Sequence, residues 1–185
     1  MSLQQLPVVR DGQAFLFEPI SGLLLSKTVN GSSPAKRPLS CKASTGLELN
    51  DRPYLLRTKE PCATPPQVVP KWLVLYARLL VRTCRLSFGL ARVLAWPRLP
   101  VYDDATEAIR VFRQIFPAVV QQELCLPRSL FAAVTSRKFR SSGVVFIGVF
   151  LPSRSMHAWV IEDGLQPDPF DGAWLNFQPV AVYTR

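Results

Sequence analysis

Three residues with complementary chemistry, Cys125, His157 and Asp168, follow one another at positions where the chain changes from one regular element to the next. Cys125 opens the segment Cys125-Leu126-Pro127-Arg128-Ser129-Leu130. Pro127 suits a first helical turn there, because the N–H that proline lacks has no intrahelical acceptor. A thiol at a helix amino terminus feels the positive end of the helix dipole, and its pKa falls from about 8.5 toward neutrality. His157, the only histidine, begins a β-type run in which a hairpin can hold an imidazole against that terminus as a general base. Asp168 lies just past an Asp163-Gly164 turn and can accept from the other ring nitrogen, fixing the tautomer. Each residue also has a plainer reading: a lone cysteine packs well in a core, a solitary histidine is often structural, and an Asp between Pro167 and Pro169 forms turns. Only the joint order points to a thiol nucleophile.

The elements that must position these residues are legible from periodicity. Asp104 followed by Glu107 predicts a capping-box helix start, with Ile109, Phe112, Ile115 and Phe116 on one face and Pro117 ending the helix. The helix opening at Cys125 places Leu126, Leu130, Ala133 and Val134 inward, and Arg137, Lys138 and Arg140 suit its carboxyl end. Val144 to Phe150 and Met156 to Glu162 read as strands, and Phe177 to Tyr183 as a third closing the sheet. Ahead of them, Lys71, Arg78, Arg82, Arg85 and Arg92 form one basic stripe on a helix of about 25 residues that is otherwise apolar. Such a breadth of apolar surface predicts burial by the protein itself, a partner or a membrane surface. Helices come first and strands afterwards, an α+β order.

The amino-terminal third differs in kind. Nine of the 17 prolines fall in the first 70 residues, which excludes long regular elements there. Val8 to Phe17 predicts a hairpin around Asp11-Gly12, Ser21 to Val29 a short helix, and Pro53 to Arg57 one strand. The expected organisation is an amino-terminal lobe over 1–66 with a Pro-rich connector, followed by a catalytic domain over 67–185.

Composition narrows the function classes. A chain of 185 residues with 48% apolar and 19% charged residues buries a core, so wholesale disorder is excluded. The net charge of +9 suits nucleic acid, an anionic surface or an acidic peptide, but no aromatic-interleaved basic motif accompanies it, and nucleic-acid binding is not expected. Cys41, Cys62, Cys84 and Cys125 show no metal-ligand spacing, so neither a zinc site nor a disulfide framework is expected. The longest apolar run is the eight residues Val144 to Leu151, and Met1 to Gln13 has no apolar core of a signal. The expectation is a cytoplasmic protein without a transmembrane span.

Cys125-Leu126-Pro127-Arg128-Ser129-Leu130, Phe146-Ile147-Gly148-Val149, His157-Ala158-Trp159-Val160-Ile161-Glu162-Asp163-Gly164 and Asp168, in this order, resemble the carboxyl-terminal protease domain of lasso-peptide maturation proteins, typified by the microcin-processing protease. That family is transglutaminase-like in fold and removes the leader from a ribosomally made precursor, so that a cyclase can close the macrolactam. The resemblance implies Cys125 as nucleophile, His157 as general base and then acid, and Asp168 as orienting acid. The short lead-in Leu165-Gln166-Pro167 leaves Asp171 as a rival acid. The oxyanion donors would be the Cys125 N–H and a second group, for which Gln122 is the candidate. The stretch from Asp11 to Leu25 is similar to the opening of PqqD-related leader-recognition modules, which implies a reduced module that takes the leader as an added strand at Phe15, Leu16 and Phe17.

The implied setting is a bacterial cytoplasm, and the implied partners are the precursor peptide, an asparagine-synthetase-like cyclase and a separate PqqD-like protein where the amino-terminal module is incomplete. The chain has no phosphate-binding loop, so no intrinsic cofactor is expected, and ATP use is assigned to the cyclase. Two other readings stand beside this one. A transglutaminase-like acyltransferase would keep the fold and change the acyl acceptor, and a non-catalytic peptide-binding scaffold would use the basic helix and the hairpin to dock partners.

Overall fold

The structure, a computed structural model, describes residues 2–6, 8–10, 13–17, 24–28, 68–87, 95, 99–116, 122–150, 155–168 and 177–184. Four strands open the chain: β1 (Ser2–Gln5), β2 (Val8–Arg10), β3 (Gln13–Phe17) and β4 (Leu24–Thr28). Helices α1 (Lys71–Leu86), α2 (Ala105–Ile115), α3 (Cys125–Thr135) and the short α4 (Phe139–Ser142) follow, with a 3-10 turn at Gln122–Leu124. Strands β5 (Gly143–Phe150), β6 (Ser155–Glu162) and β7 (Gln178–Thr184) end it. The arrangement is α+β, with the helices laid on a small antiparallel sheet.

Helix α3 is the centre. Every residue from Pro127 to Thr135 is buried, because α1 and α2 pack on one side of it and β5 and β6 on the other. Phe131 sits between Tyr76 of α1 and Phe112 of α2, at ring-centroid distances of 6.3 and 5.3 Å. The last carbonyls of α3 are satisfied by the incoming strap: Leu99 N–H donates to Val134, and Val101 and Tyr102 N–H both donate to Thr135. Arg137, Lys138 and Arg140, expected at the carboxyl end of α3, follow its C-cap Ser136, with Arg140 inside α4. The strap, not a basic side chain, covers its carboxyl terminus.

Helix α2 begins as its sequence predicts. The Asp104 carboxylate accepts from Glu107 N–H at 2.9 Å, and the Glu107 carboxylate accepts in return from Asp103 N–H at 3.4 Å. Ala105, Ala108, Ile109, Val111 and Phe112 are buried, and the helix stops before Phe116, the residue ahead of Pro117. Helix α1 ends at Leu86, where Ser87 is extended (φ −163°, ψ 131°) and its N–H donates to the Thr83 carbonyl, so the expected helix of about 25 residues is broken after 16; Arg92 lies outside the described residues. Its buried stripe is narrow, Leu73, Ala77 and Leu80, while Trp72, Leu75, Leu79 and Leu86 are exposed. The broad burial expected from its apolar content is thus not met by the described residues. Among them no helix is long and apolar enough to cross a membrane.

The main sheet runs β1-β7-β5-β6, antiparallel throughout. Both faces are buried: Val145, Ile147, Val149, Ala158, Val160, Ala181 and Tyr183 join the helices, and Val144, Phe146, Trp159, Ile161, Val182 and Leu6 form a second cluster. Burial on both faces explains why β5 reads as an uninterrupted apolar run. Between β5 and β7 the register slips at Ile147/Gly148, so that Gly148 meets Pro179 and Ile147 meets Ala181. A proline inside a sheet is accommodated by such a bulge, since it has no N–H to give the ladder.

Asp163-Gly164 turns the chain with both residues at positive φ, 52° and 72°, and Glu162 and Leu165 exchange both backbone hydrogen bonds across it. This is the tight hairpin turn predicted for that pair. The buried Glu162 carboxylate pins the end of β6 to the helices, accepting from Ala105 N–H at 2.9 Å and from Ser136 Oγ at 2.6 Å.

At the other end of the chain, the hairpin expected around Asp11-Gly12 is present as β2 and β3, paired from Arg10↔Gln13 to Val8↔Phe15. The helix expected over Ser21 to Val29 is instead strand β4, whose five residues pair along the whole of β3. A short segment gains more from a complete ladder beside it than from a helix of two turns, which is too short to persist alone. The expected boundary at residues 66 and 67 is crossed by β1, which pairs with β7 in the same sheet as the carboxyl-terminal strands. The strand expected at Pro53–Arg57 lies outside the described residues.

Candidate active site

Cys125 is the first residue of α3, and no side chain caps that terminus. The 3-10 turn Gln122–Leu124 delivers the chain to it, and Pro127 occupies the third helical position. The thiol is half-buried where β6 passes the helix, and β6 is the outermost strand of the main sheet. An outer strand has backbone N–H groups free of ladder partners, and the N–H of Ala158 donates to the Cys125 sulfur. The imidazole of His157, the preceding residue, shares a hydrogen bond with the same sulfur.

These contacts set the acidity of the thiol. Burial pushes its pKa up, but the His157 hydrogen bond and charge, the Ala158 N–H and the Arg128 guanidinium together outweigh burial and hold it below the ordinary value of 9.0. The neighbouring thiol behaves in the opposite way. Cys84 on α1 is pushed up to about 12 by burial and by the charge of Cys125, so one cysteine is poised as a nucleophile and the other is kept protonated.

The His157 ring is held by aromatic neighbours. Trp159, two residues along β6, lies nearly parallel to it at 6.2 Å, and Phe177 approaches at 5.1 Å with a tilt of 35°. Trp159 is itself stacked on Phe146 at 5.5 Å. Across the ladder His157 pairs with Gly148, where a Cβ would lie 2.7 Å from the Trp159 ring and 3.0 Å from Phe177 Cβ. Glycine at that position is what lets the two aromatic side chains close on the imidazole.

Asp168 is buried, with two arginines on its carboxylate. Arg113 of α2 donates from Nη2 to both oxygens at 2.9 and 2.8 Å, and Arg128 of α3 approaches with Nε at 3.1 Å. Because Arg128 lies one helical turn after Cys125, this pair ties the segment after the β6 turn to the helix that carries the thiol. The Asp168 N–H donates to Gln166 Oε1 at 3.3 Å.

The other candidates fall elsewhere. Asp171 lies outside the described residues, as does the side chain of Gln122, whose backbone opens the 3-10 turn. Phe15, Leu16 and Phe17 sit on β3, the middle strand of the sheet β2-β3-β4, and Phe15 is already paired with Val8 on one side and Ser26 on the other. The β2 register ends at Phe15, and Leu16 and Phe17 pair with Leu25 and Leu24 of β4. Sequence reasoning did not assign roles to Arg113, Arg128, Gly148 or Phe177. Arg128 carried a signal, one helical turn from the cysteine, whereas Arg113 and Phe177 carried none.

Among the described residues no cluster of His, Cys, Asp and Glu can hold a metal ion. What the arrangement supplies is an acidified thiol and an adjacent imidazole at a helix amino terminus, the components of acyl transfer through a thioester. No curated protein and no solved structure matches the chain. Residues 72–182, which carry α1 to α4, the cysteine, the histidine and the carboxyl-terminal strands, match the family model described as the transglutaminase-like superfamily, a group of cysteine peptidases and acyltransferases, and the chain belongs to that superfamily.

Proposed function

We propose that this protein is a cysteine peptidase that removes the leader from a ribosomally made precursor of the lasso-peptide class. The observation that carries the reading is the hydrogen bond between Cys125 and His157 at the amino terminus of α3, together with the lowered pKa of that thiol. The motifs around both residues, C-L-P-R-S-L and H-A-W-V-I-E-D-G, support the choice of substrate class.

In this reading the Cys125 thiolate attacks the carbonyl carbon at the end of the leader. The developing oxyanion is met by the Cys125 N–H, with the Gln122 amide as the second donor. Protonated His157 gives its proton to the departing amine of the core peptide, and the leader remains as a thioester on Cys125. His157 then takes a proton from water as the water adds to the thioester, and collapse frees the leader carboxylate and restores the thiol. Asp168 orients the imidazole, with Asp171 as the alternative. The freed amine is what an asparagine-synthetase-like cyclase joins to an acidic side chain, and ATP belongs to that partner. A PqqD-like protein presents the leader.

Mass spectrometry of the co-encoded precursor, incubated with the full chain with and without the cyclase and ATP, tests the proposal. A single cut that disappears with Cys125→Ala is the expected result. A precursor that stays bound and uncut under every condition overturns it in favour of a scaffold, and an acyl adduct on an added amine in place of the leader carboxylate makes the protein an acyltransferase.

A further inference from the structure

The outer half of α1 carries a feature that the chemistry at Cys125 does not use. Arg78, Val81, Arg82, Arg85 and Leu86 of α1, with Phe116 after α2, line a groove of about 420 Å³. Its floor is apolar and its rim is three exposed guanidinium groups at i, i+4 and i+7, one face of the helix. Like charges so placed repel each other and cost the helix stability unless an anion lies between them. Helix α1 contains no acidic residue to relieve that repulsion. Arg85 reaches Glu123 at 3.9 Å, an exposed pair, while Arg78 and Arg82 form no ion pair with any described residue.

The Arg85 end of the groove lies toward the 3-10 turn that precedes the thiol. Glu123, which faces Arg85, stands two residues before Cys125, and Cys84, next to Arg85 in α1, packs in the same cluster as Cys125 and Phe116.

We infer that this groove binds a peptide segment of the substrate bearing carboxylates interleaved with apolar side chains, next to the bond presented to Cys125. The inference rests on the peptidase reading and adds to it the chemical class of the segment recognised. The guanidinium groups hold the carboxylates, in forked pairs where geometry allows, and Val81, Leu86 and Phe116 take the apolar side chains.

Fluorescence anisotropy with a fluorescein-labelled peptide of alternating aspartate and leucine, and its asparagine counterpart, tests this on the full chain carrying Cys125→Ala. The aspartate peptide is expected to bind more tightly, with an affinity that falls as salt is raised. Arg78→Gln with Arg82→Gln weakens it about fivefold. Lys138→Gln with Arg140→Gln, which removes the same charge from exposed positions on and beside α4, leaves it unchanged. Equal binding of the two peptides, or equal losses in the two double variants, overturns the inference. So does a groove variant that loses only its binding to phosphatidylglycerol vesicles. Alkylation of Cys125 by chloroacetamide in the otherwise native chain reads the nucleophile separately. A labelled thiol with no groove effect overturns the groove alone, and an inert thiol with the groove effect intact overturns the peptidase reading alone.

Discussion

Arg128 and Asp168 form a buried ion pair, Nε to Oδ2 at 3.1 Å, one helical turn from Cys125. Arg113 donates to both oxygens of the same carboxylate, so two cations share it. Removing one member of a buried pair strands the charge of the other, at a cost of about 3–5 kcal/mol. Arg128→Met leaves Asp168 paired with Arg113, so its loss of stability in denaturant unfolding is expected to fall below that figure. It is also expected to raise the pH at which Cys125 becomes reactive, since the Arg128 charge is one of the influences that lower its pKa. Asp168→Asn separates a structural carboxylate from an orienting one: loss of stability with an unchanged pH profile of thiol reactivity marks the first, and a shifted profile marks the second.

Gly148 governs His157 from across the ladder. Gly148→Ala would set a methyl group 2.7 Å from the Trp159 ring, and both Trp159 and Phe177 must shift from the imidazole they enclose. Overpacking of this kind costs about 1–3 kcal/mol. The expected signature is a displaced His157 titration by NMR with slower alkylation of Cys125. Gly164→Ala is the control. At φ +72° with open space around it, it carries backbone strain of about 1–2 kcal/mol and leaves the thiol unaffected.

The two described cysteines should part company with pH. Iodoacetamide labelling mapped by mass spectrometry is expected to modify Cys125 at a pH below the ordinary thiol value of 9.0, because the fold favours its thiolate, whereas Cys84 resists until about 12. Stability follows opposite signs. The contribution of Cys125, with its depressed pKa, is fully present above 9.0 and is lost as pH falls through the folded value. That of Cys84, with its raised pKa, is fully present below 9.0 and is lost as pH rises through about 12. Equal labelling of both residues at neutral pH would contradict this.

Glu162 is buried with its pKa raised, chiefly by burial, so its share of stability is present below about 4.5 and lost as pH rises through the folded value. Glu162→Gln removes the charge. Its amide oxygen can still accept from Ala105 N–H, and its NH₂ can donate to Ser136 Oγ. Thermal unfolding at neutral pH is expected to show equal or greater stability for Glu162→Gln. Glu162→Ala, which strands two buried donors, loses about 1–3 kcal/mol for each.

Much of the site could be read without coordinates, because the signals were local. The cap at Asp104, the turn at Asp163-Gly164, the apolar run of β5 and the helix start at Cys125 each depend on side-chain and backbone chemistry within a few residues. Where the reading failed, a distant partner decided. Ser21 to Val29 lost its expected helix to pairing with β3, and the apolar breadth of α1 proved to be largely exposed among the described residues. The aromatic slot around His157 draws Phe177 from beyond the turn, and the cations on Asp168 come from two helices. Neither has a period or a spacing to betray it.

The order of a cysteine at a helix start, a histidine at a strand start and an acid beyond a turn was thus determined by the sequence alone, since capping, periodicity and turn preference act over one or two turns of chain. Only the tertiary structure decided that Ala158 N–H and His157 meet Cys125 and that two arginines meet Asp168. Those contacts join residues more than 30 positions apart, and the packing of α3 between the sheet and two helices brings them together.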